Sequence, residues 1–338
     1  MSYSKEIDNI IKSSIISNPA NFTKSEIFNF SDLPNEELYE QFYNFCRTNM
    51  DIHAEKLNIN PNYFVFTNDI RSNAQAVRIK GEYFMLINMG LVQSSIDNLL
   101  QNEELDKFFN KRFPDLISKY DNSIAGLGFQ VATQFAYYHE LAHLIQFSKQ
   151  GELYKSLQEM YSTSPSFNIE QHKLEINADT YAAFAITNHI QDYLEKTFTD
   201  DLSEEKVKDT FVLISVCLLN HIARFATINL DLYFDKSSHP HPFLRLFNVI
   251  LNIAHYLNST HYFQENNIKI FAASTLKEIF DLYQDLEKEK IFTTNFGKAL
   301  DKAEKFQDKI VEYLGELINF DIEKNYYDAL EKWNEVFE

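Results

Sequence analysis

Tyr138-His139-Glu140-Leu141-Ala142-His143-Leu144 sits inside an apolar run from Leu127 to Phe147 that reads as one helix of about five or six turns. One turn separates His139 from His143 on the same helix face, so both imidazoles can reach a single Zn²⁺ ion. Glu140 leaves the helix about 100° round from His139, near enough to handle an attacking water without being a ligand. That is the geometry of zinc-assisted hydrolysis. Phe135, Tyr138, Leu141, Leu144 and Ile145 give apolar cover on more than one face, which predicts a buried helix. Histidines and a glutamate are costly in such a helix unless they have partners. This weighs for a metal site against a plain helix with two partly exposed histidines and a solvated glutamate.

Such a site needs a third ligand. Downstream, Glu170-Gln171-His172-Lys173-Leu174-Glu175 continues into Ile176-Asn177-Ala178-Asp179. If this is a helix, Glu175 and Asp179 share a face, and Ala178, Ala182 and Ala183 let another helix come close. Glu175 follows His143 by 32 residues, enough for a second helix to return and close a His-His-Glu set. Glu175 is therefore assigned as the third ligand, with His172 and Glu170 the next candidates. Asp179, one turn on, is expected to accept the N–H of the non-metal nitrogen of a ligand histidine, His139 first, and so fix its tautomer. The plainer reading makes Glu175 and Asp179 two solvated helix carboxylates.

Around this centre the chain reads as mainly α with a small antiparallel sheet, an α+β fold. Residues 1–60 look helical, with Ile7, Ile10 and Ile11 in one short segment and Leu38, Phe42 and Phe45 at helical spacing in the next. Tyr63 to Thr67 and Ala76 to Asn88 are rich in β-branched and aromatic residues, and Lys80-Gly81-Glu82 predicts a hairpin about Gly81. Leu99 to Tyr120 reads as charged helix broken at Pro114, and Ser162 to Phe167 as a polar loop that could cover a cleft. His239-Pro240-His241-Pro242 reads as an extended entry to the segment Phe243 to Leu257, because a residue before proline avoids the α region. Three apolar stripes follow: Leu276, Ile279, Phe280, Tyr283 and Leu286; Phe306, Ile310, Leu314 and Leu317; Ile322, Tyr326, Leu330, Trp333 and Phe337. The expected organisation is an N-terminal helical segment (1–60), a catalytic domain (61–260) and a C-terminal helical extension (261–338).

A 338-residue chain that is 45% hydrophobic and 15% aromatic can bury a large core. Its formal net charge of −18 argues against nucleic acid and anionic lipid as partners. Cys46 and Cys217 stand far apart in apolar surroundings and read as core thiols rather than a disulfide. The first residues lack the pattern of a secretory leader, and the most apolar run, Phe211 to Leu219, falls well short of the ~20 residues a bilayer requires. The expected setting is the cytoplasm, with no membrane span. The residues carry no signal for an oligomeric state.

Taken together, His139-Glu140-x-x-His143, Glu175-x-x-Ala178-Asp179 and His239-Pro240 followed by Arg245 resemble the three-part signature HExxH, ExxAD and HPxxxxR. That signature marks gluzincin zinc metallopeptidases of the CAAX prenyl-endopeptidase and HtpX type. Asn73-Ala74, Tyr83 to Asn88 and Gly90-Leu91 are similar to the strand and turn ahead of their active-site helix, where an edge strand holds extended substrate. The likeness covers roughly residues 70–250. Those families usually carry transmembrane helices and this chain shows none, which counts against membrane-bound substrates; in size and in the doubled His239-Pro240-His241-Pro242 the chain also resembles a soluble HExxH group, the Lit-type phage-exclusion peptidases, intracellular enzymes that cleave a host protein.

The resemblance implies a zincin-like core and a zinc endopeptidase acting on protein or peptide. One Zn²⁺ per chain would be held by His139, His143 and Glu175, with Glu140 as general base and acid. His239 or Arg245 would lie at the rim, stabilising the tetrahedral intermediate or tying the helices of the site together. Two other classes fit the residues: a non-catalytic zinc module with a fourth protein ligand such as His172 or His239, and a metal-free helical interaction protein.

Overall fold

The computed structural model describes residues 2–16, 22–117, 124–148, 167–198, 201–224 and 232–318. The chain is mainly helical with one small sheet, and it forms two compact units. The first takes in Met1–Ser94 and, among the described residues, the stretch from His139 to Ser148; the second takes in Ser95–Tyr138 and the described residues from 167 onward.

In the first unit, helix α1 (Tyr3–Lys12) and helix α2 (Glu36–His53) accompany three strands: β1 (Asn62–Thr67), β2 (Ala74–Ile79) and β3 (Glu82–Asn88). Lys80 and Gly81 both take positive φ, 51° and 84°. That is the backbone a two-residue hairpin turn demands, and glycine meets it without a steric penalty. β2 and β3 accordingly pair antiparallel, Ile79 opposite Glu82. The sheet as a whole is mixed rather than antiparallel: its order is β1-β3-β2, and β1 runs parallel to β3.

This order also places Tyr83 to Asn88 in the central strand, so the edge strand on that side is β2. The near-continuous burial of Tyr83 to Ile87 is what a central strand covered on both faces requires. Val65, Phe84 and Leu86 pack with Ile10 of α1, while Phe64 and Phe66 meet Phe42 and Tyr43 of α2. Each of those fully buried rings contributes roughly 1.5–3 kcal/mol. The outer edge of β1 is covered by α1: the Phe64 N–H donates to Glu6 Oε1 (2.9 Å) and the Phe66 N–H to the Tyr3 hydroxyl (3.0 Å).

The short helix α3 (Met89–Ser95) leads into the second unit, where α4 (Glu103–Arg112) and α5 (Pro114–Ile117) confirm the break at Pro114. Helix α6 (Ile124–Gln146) is the predicted motif helix, and the division between the units falls within it. Helix α7 (Ile169–Thr197) starts on Asn168, whose side chain accepts the Glu170 N–H. Helix α8 (Glu204–Ala223) starts on Ser203, which accepts the Lys206 N–H. Helix α9 (Pro242–Ser259) begins at the N1 proline, and the His241 ring caps it by accepting the Phe243 N–H (3.1 Å).

The short α10 (His261–Glu265), then α11 (Ala272–Lys288), α12 (Gly297–Ala303) and α13 (Gln307–Ile318) complete the described chain. The stripes Leu276, Ile279, Tyr283, Leu286 and Ile310, Leu314, Leu317 are buried, while Phe306 is exposed. The third stripe, Ile322 to Phe337, lies outside the described residues, as do 162–166 of the expected polar loop. No described helix is long and apolar enough to cross a membrane.

Gly128 sets how closely α6 and α8 approach. A Cβ there would stand 2.5 Å from Cys217 Sγ. Gly128→Ala is expected to cost about 1–3 kcal/mol in chemical denaturation, through overpacking. Adding Cys217→Ala should recover most of it, and a neutral Gly128→Ala would show that the contact gives way freely.

Candidate metal centre

His139 and His143 stand one turn apart near the C-terminal end of α6, with Glu140 between them, and all three are buried. Their Nε2 atoms face each other at 3.1 Å, the rings set edge to face at 88°. Two nitrogens at the usual zinc distance of about 2.0–2.1 Å, at a tetrahedral angle, lie about 3.3 Å apart. The pair already has the spacing that one ion imposes. His143 Nδ1 lies 2.8 Å from Gln146 Oε1, and a ring N–H donated to that oxygen leaves Nε2 as the lone-pair nitrogen. Gln146 is itself buried.

The end of α6 is tied to the sheet. Arg78 on β2 donates through Nη1 to the Phe147 carbonyl (2.7 Å), one of the carbonyls a helix end leaves without an intrahelical partner. The Phe147 ring in turn lies parallel to the His143 ring, within 14°. Arg78 also lies over the Tyr83 ring, 5.3 Å from its centre. The edge strand, the last turn of α6 and a candidate ligand thus form one connected set within the first unit.

Glu175 and Asp179 lie one turn apart on α7, both buried. Arg245 of α9 grips Asp179 with a two-pronged fork, Nε to Oδ2 at 2.8 Å and Nη2 to Oδ1 at 2.7 Å. Its third nitrogen lies 3.8 Å from Glu175 Oε2. His239, half exposed, brings Nε2 to 3.4 Å from Glu175 Oε1. The Arg245 fork is joined along the same face by Asn248 of α9, whose side-chain amide donates to the Ile176 carbonyl (3.3 Å) and the Thr180 hydroxyl (3.0 Å), and α9 packs closely along α7.

Each of His139, His143 and Glu175 offers one ligand atom, and these atoms all lie within 4.8 Å of one another. Two imidazoles and a carboxylate are a donor set suited to a transition-metal ion such as zinc. This group could hold a metal.

The other candidates have different employment. Glu170 pairs with Lys173 at 3.0 Å. His172 is buried, with Nε2 2.8 Å from the Ser237 carbonyl and Nδ1 2.6 Å from the Tyr313 hydroxyl. Burial pushes its pKa down, so the ring is neutral near pH 7. A carbonyl only accepts, so Nε2 carries the proton and Nδ1 accepts from Tyr313. Both nitrogens are committed, which removes His172 as a fourth ligand. Cys46 and Cys217 are free thiols in the core.

Sequence reading did not single out Gln146, Arg78 as a helix-end clamp, or Tyr313. Gln146 was accessible to it: a side-chain oxygen three residues after a candidate ligand histidine is within reach on the same helix face. The other two act across the fold and leave no local signal.

Residues 99–266, just under half of the chain, match the family model described as Peptidase U49, a Lit-like peptidase family. The match supports a hydrolase of the peptidase type. No curated protein and no solved structure matches the chain.

Proposed function

We propose that this chain is a zinc-dependent endopeptidase of the cell interior, with His139, His143 and Glu175 as the metal ligands and Glu140 as the general base and acid. The observation that carries the reading is the convergence of those three ligand atoms within 4.8 Å, all three of them inside the segment that the peptidase model matches, with Glu140 next to His139. Among the described residues the group has three protein ligands, the number found in catalytic zinc sites, whereas structural sites take four. This favours a reactive centre over a staple between helices. The free, buried Cys46 and Cys217 accord with a reducing compartment.

Zinc held by His139, His143 and Glu175 would supply Lewis acidity for a scissile carbonyl and a water that is nucleophilic near neutral pH. Glu140 takes the proton of the attacking water and passes it to the leaving amine. His239, half exposed beside Glu175, would be the side chain that donates to the developing oxyanion. Arg245 holds the α7 carboxylates in place. A carboxylate has room for about four donors, so pairing with Arg245 and orienting His139 are compatible tasks for Asp179.

Metal analysis of protein purified without chelator tests the assignment. The wild type should carry one zinc per chain and Glu175→Ala distinctly less; equal stoichiometry would move the third ligand elsewhere. Incubation with a cell extract, followed by mass spectrometry of new termini, would name the substrate. Gln146→Leu, which removes the acceptor on His143 Nδ1, should weaken zinc binding by about 10–100-fold in chelator competition. Gln146→Glu should not. If Gln146→Leu binds zinc like the wild type, His143 is oriented by something else.

A further inference from the structure

His239 stands near the end of a segment that runs without helix from Tyr233 to His241, and three contacts pin that segment. At its start Phe234 lies edge-on to the Tyr313 ring and under the Lys309 ammonium, both on α13. At its end His241 is buried as the cap of α9. Between them, the Ser237 carbonyl accepts from His172 Nε2 (2.8 Å). Only Ser238, His239 and Pro240 lie between the last two anchors, so fixing Ser237 leaves the His239 ring few places to go. His172 is on α7 one turn before Glu175, and its other nitrogen is held by the Tyr313 hydroxyl at 2.6 Å.

We propose that Tyr313 and His172 are positioning residues: Tyr313 locks the His172 ring, His172 holds the Ser237 carbonyl, and the segment so fixed presses His239 against the Glu175 carboxylate. The inference rests on Glu175 being a metal ligand and gives helix α13 a task in the site. Burial keeps the Tyr313 hydroxyl protonated and His172 neutral, so the direction of both hydrogen bonds is set. Neither residue touches the ligand atoms; each acts through His239.

The test uses the full chain as wild type, Tyr313→Phe, His239→Ala and the double variant. Zinc affinity is measured by chelator competition, and the rate of His239 modification by diethyl pyrocarbonate is followed by peptide mapping on metal-free protein. Each single variant should weaken zinc binding by about tenfold or more. The double variant should be no weaker than His239→Ala alone, because the two residues act in series. In metal-free Tyr313→Phe, His239 should be modified severalfold faster than in the wild type. Multiplicative losses in the double variant, or unchanged His239 reactivity in a folded Tyr313→Phe protein, would overturn the proposal. His172→Phe, which removes both hydrogen bonds with an apolar ring of similar shape, serves if Tyr313→Phe does not fold. If the wild type binds no zinc, the metal reading fails by itself, and the modification rates still decide whether the latch holds His239.

Discussion

Glu140→Gln is expected to lose about 10²–10⁴ in kcat, the usual contribution of general acid–base catalysis, while zinc stoichiometry and fold stay as in the wild type. Glutamine has nearly the shape of glutamate, so the packing around this buried position on α6 is preserved. It cannot take a proton from water or return one to an amine. Glu140 lies between two candidate ligands in sequence and is not among the three residues whose ligand atoms converge, so metal binding should not notice the change. The measurement is single-turnover cleavage of a substrate identified from the extract, at equal zinc occupancy. Full activity in Glu140→Gln would remove the residue from the chemistry, and loss of zinc would make it a ligand.

What could be read from the chain beforehand depended on range. The α6 helix was legible because its apolar residues and the His139/His143 pair share one period, and α7 because Glu175, Asp179 and the alanines fall on one turn spacing. The Lys80-Gly81 hairpin was legible because positive φ at two adjacent positions needs particular residues. The parallel pairing of β1 with β3 was not, since it is made between segments whose intervening strand β2 lies on the far side of β3. Nor was the employment of His172, whose partners come from 65 and 141 residues away. A lone histidine next to an acidic motif looks like a spare ligand in sequence. Only the carbonyl and hydroxyl against its two nitrogens reveal the other task. Arg245 was legible by its spacing from His239, but nothing in the residues said that its fork would close on Asp179.

That fork carries the largest expected effect on stability. Asp179 is fully buried and Glu175 nearly so, and Arg245 supplies positive charge to both from α9. In a low-dielectric interior a carboxylate deprived of its partner keeps the cost of its lost hydration, and breaking such a pair on one side costs about 3–5 kcal/mol. Arg245→Met, which keeps the apolar length of the side chain, should therefore destabilise the metal-free protein by about that amount in urea denaturation followed by circular dichroism. Arg245→Lys should fall between, because an ammonium retains the charge but cannot match both carboxylate oxygens with a planar fork. Arg245→Met combined with Asp179→Leu removes both charges and should recover most of the loss. If Arg245→Met proves nearly neutral, the pair contributes little and other contacts hold α9 on α7. If Arg245→Met is costly and the double change restores nothing, the arginine's main service is to Glu175, and the α7 carboxylate that needs it is the candidate ligand itself.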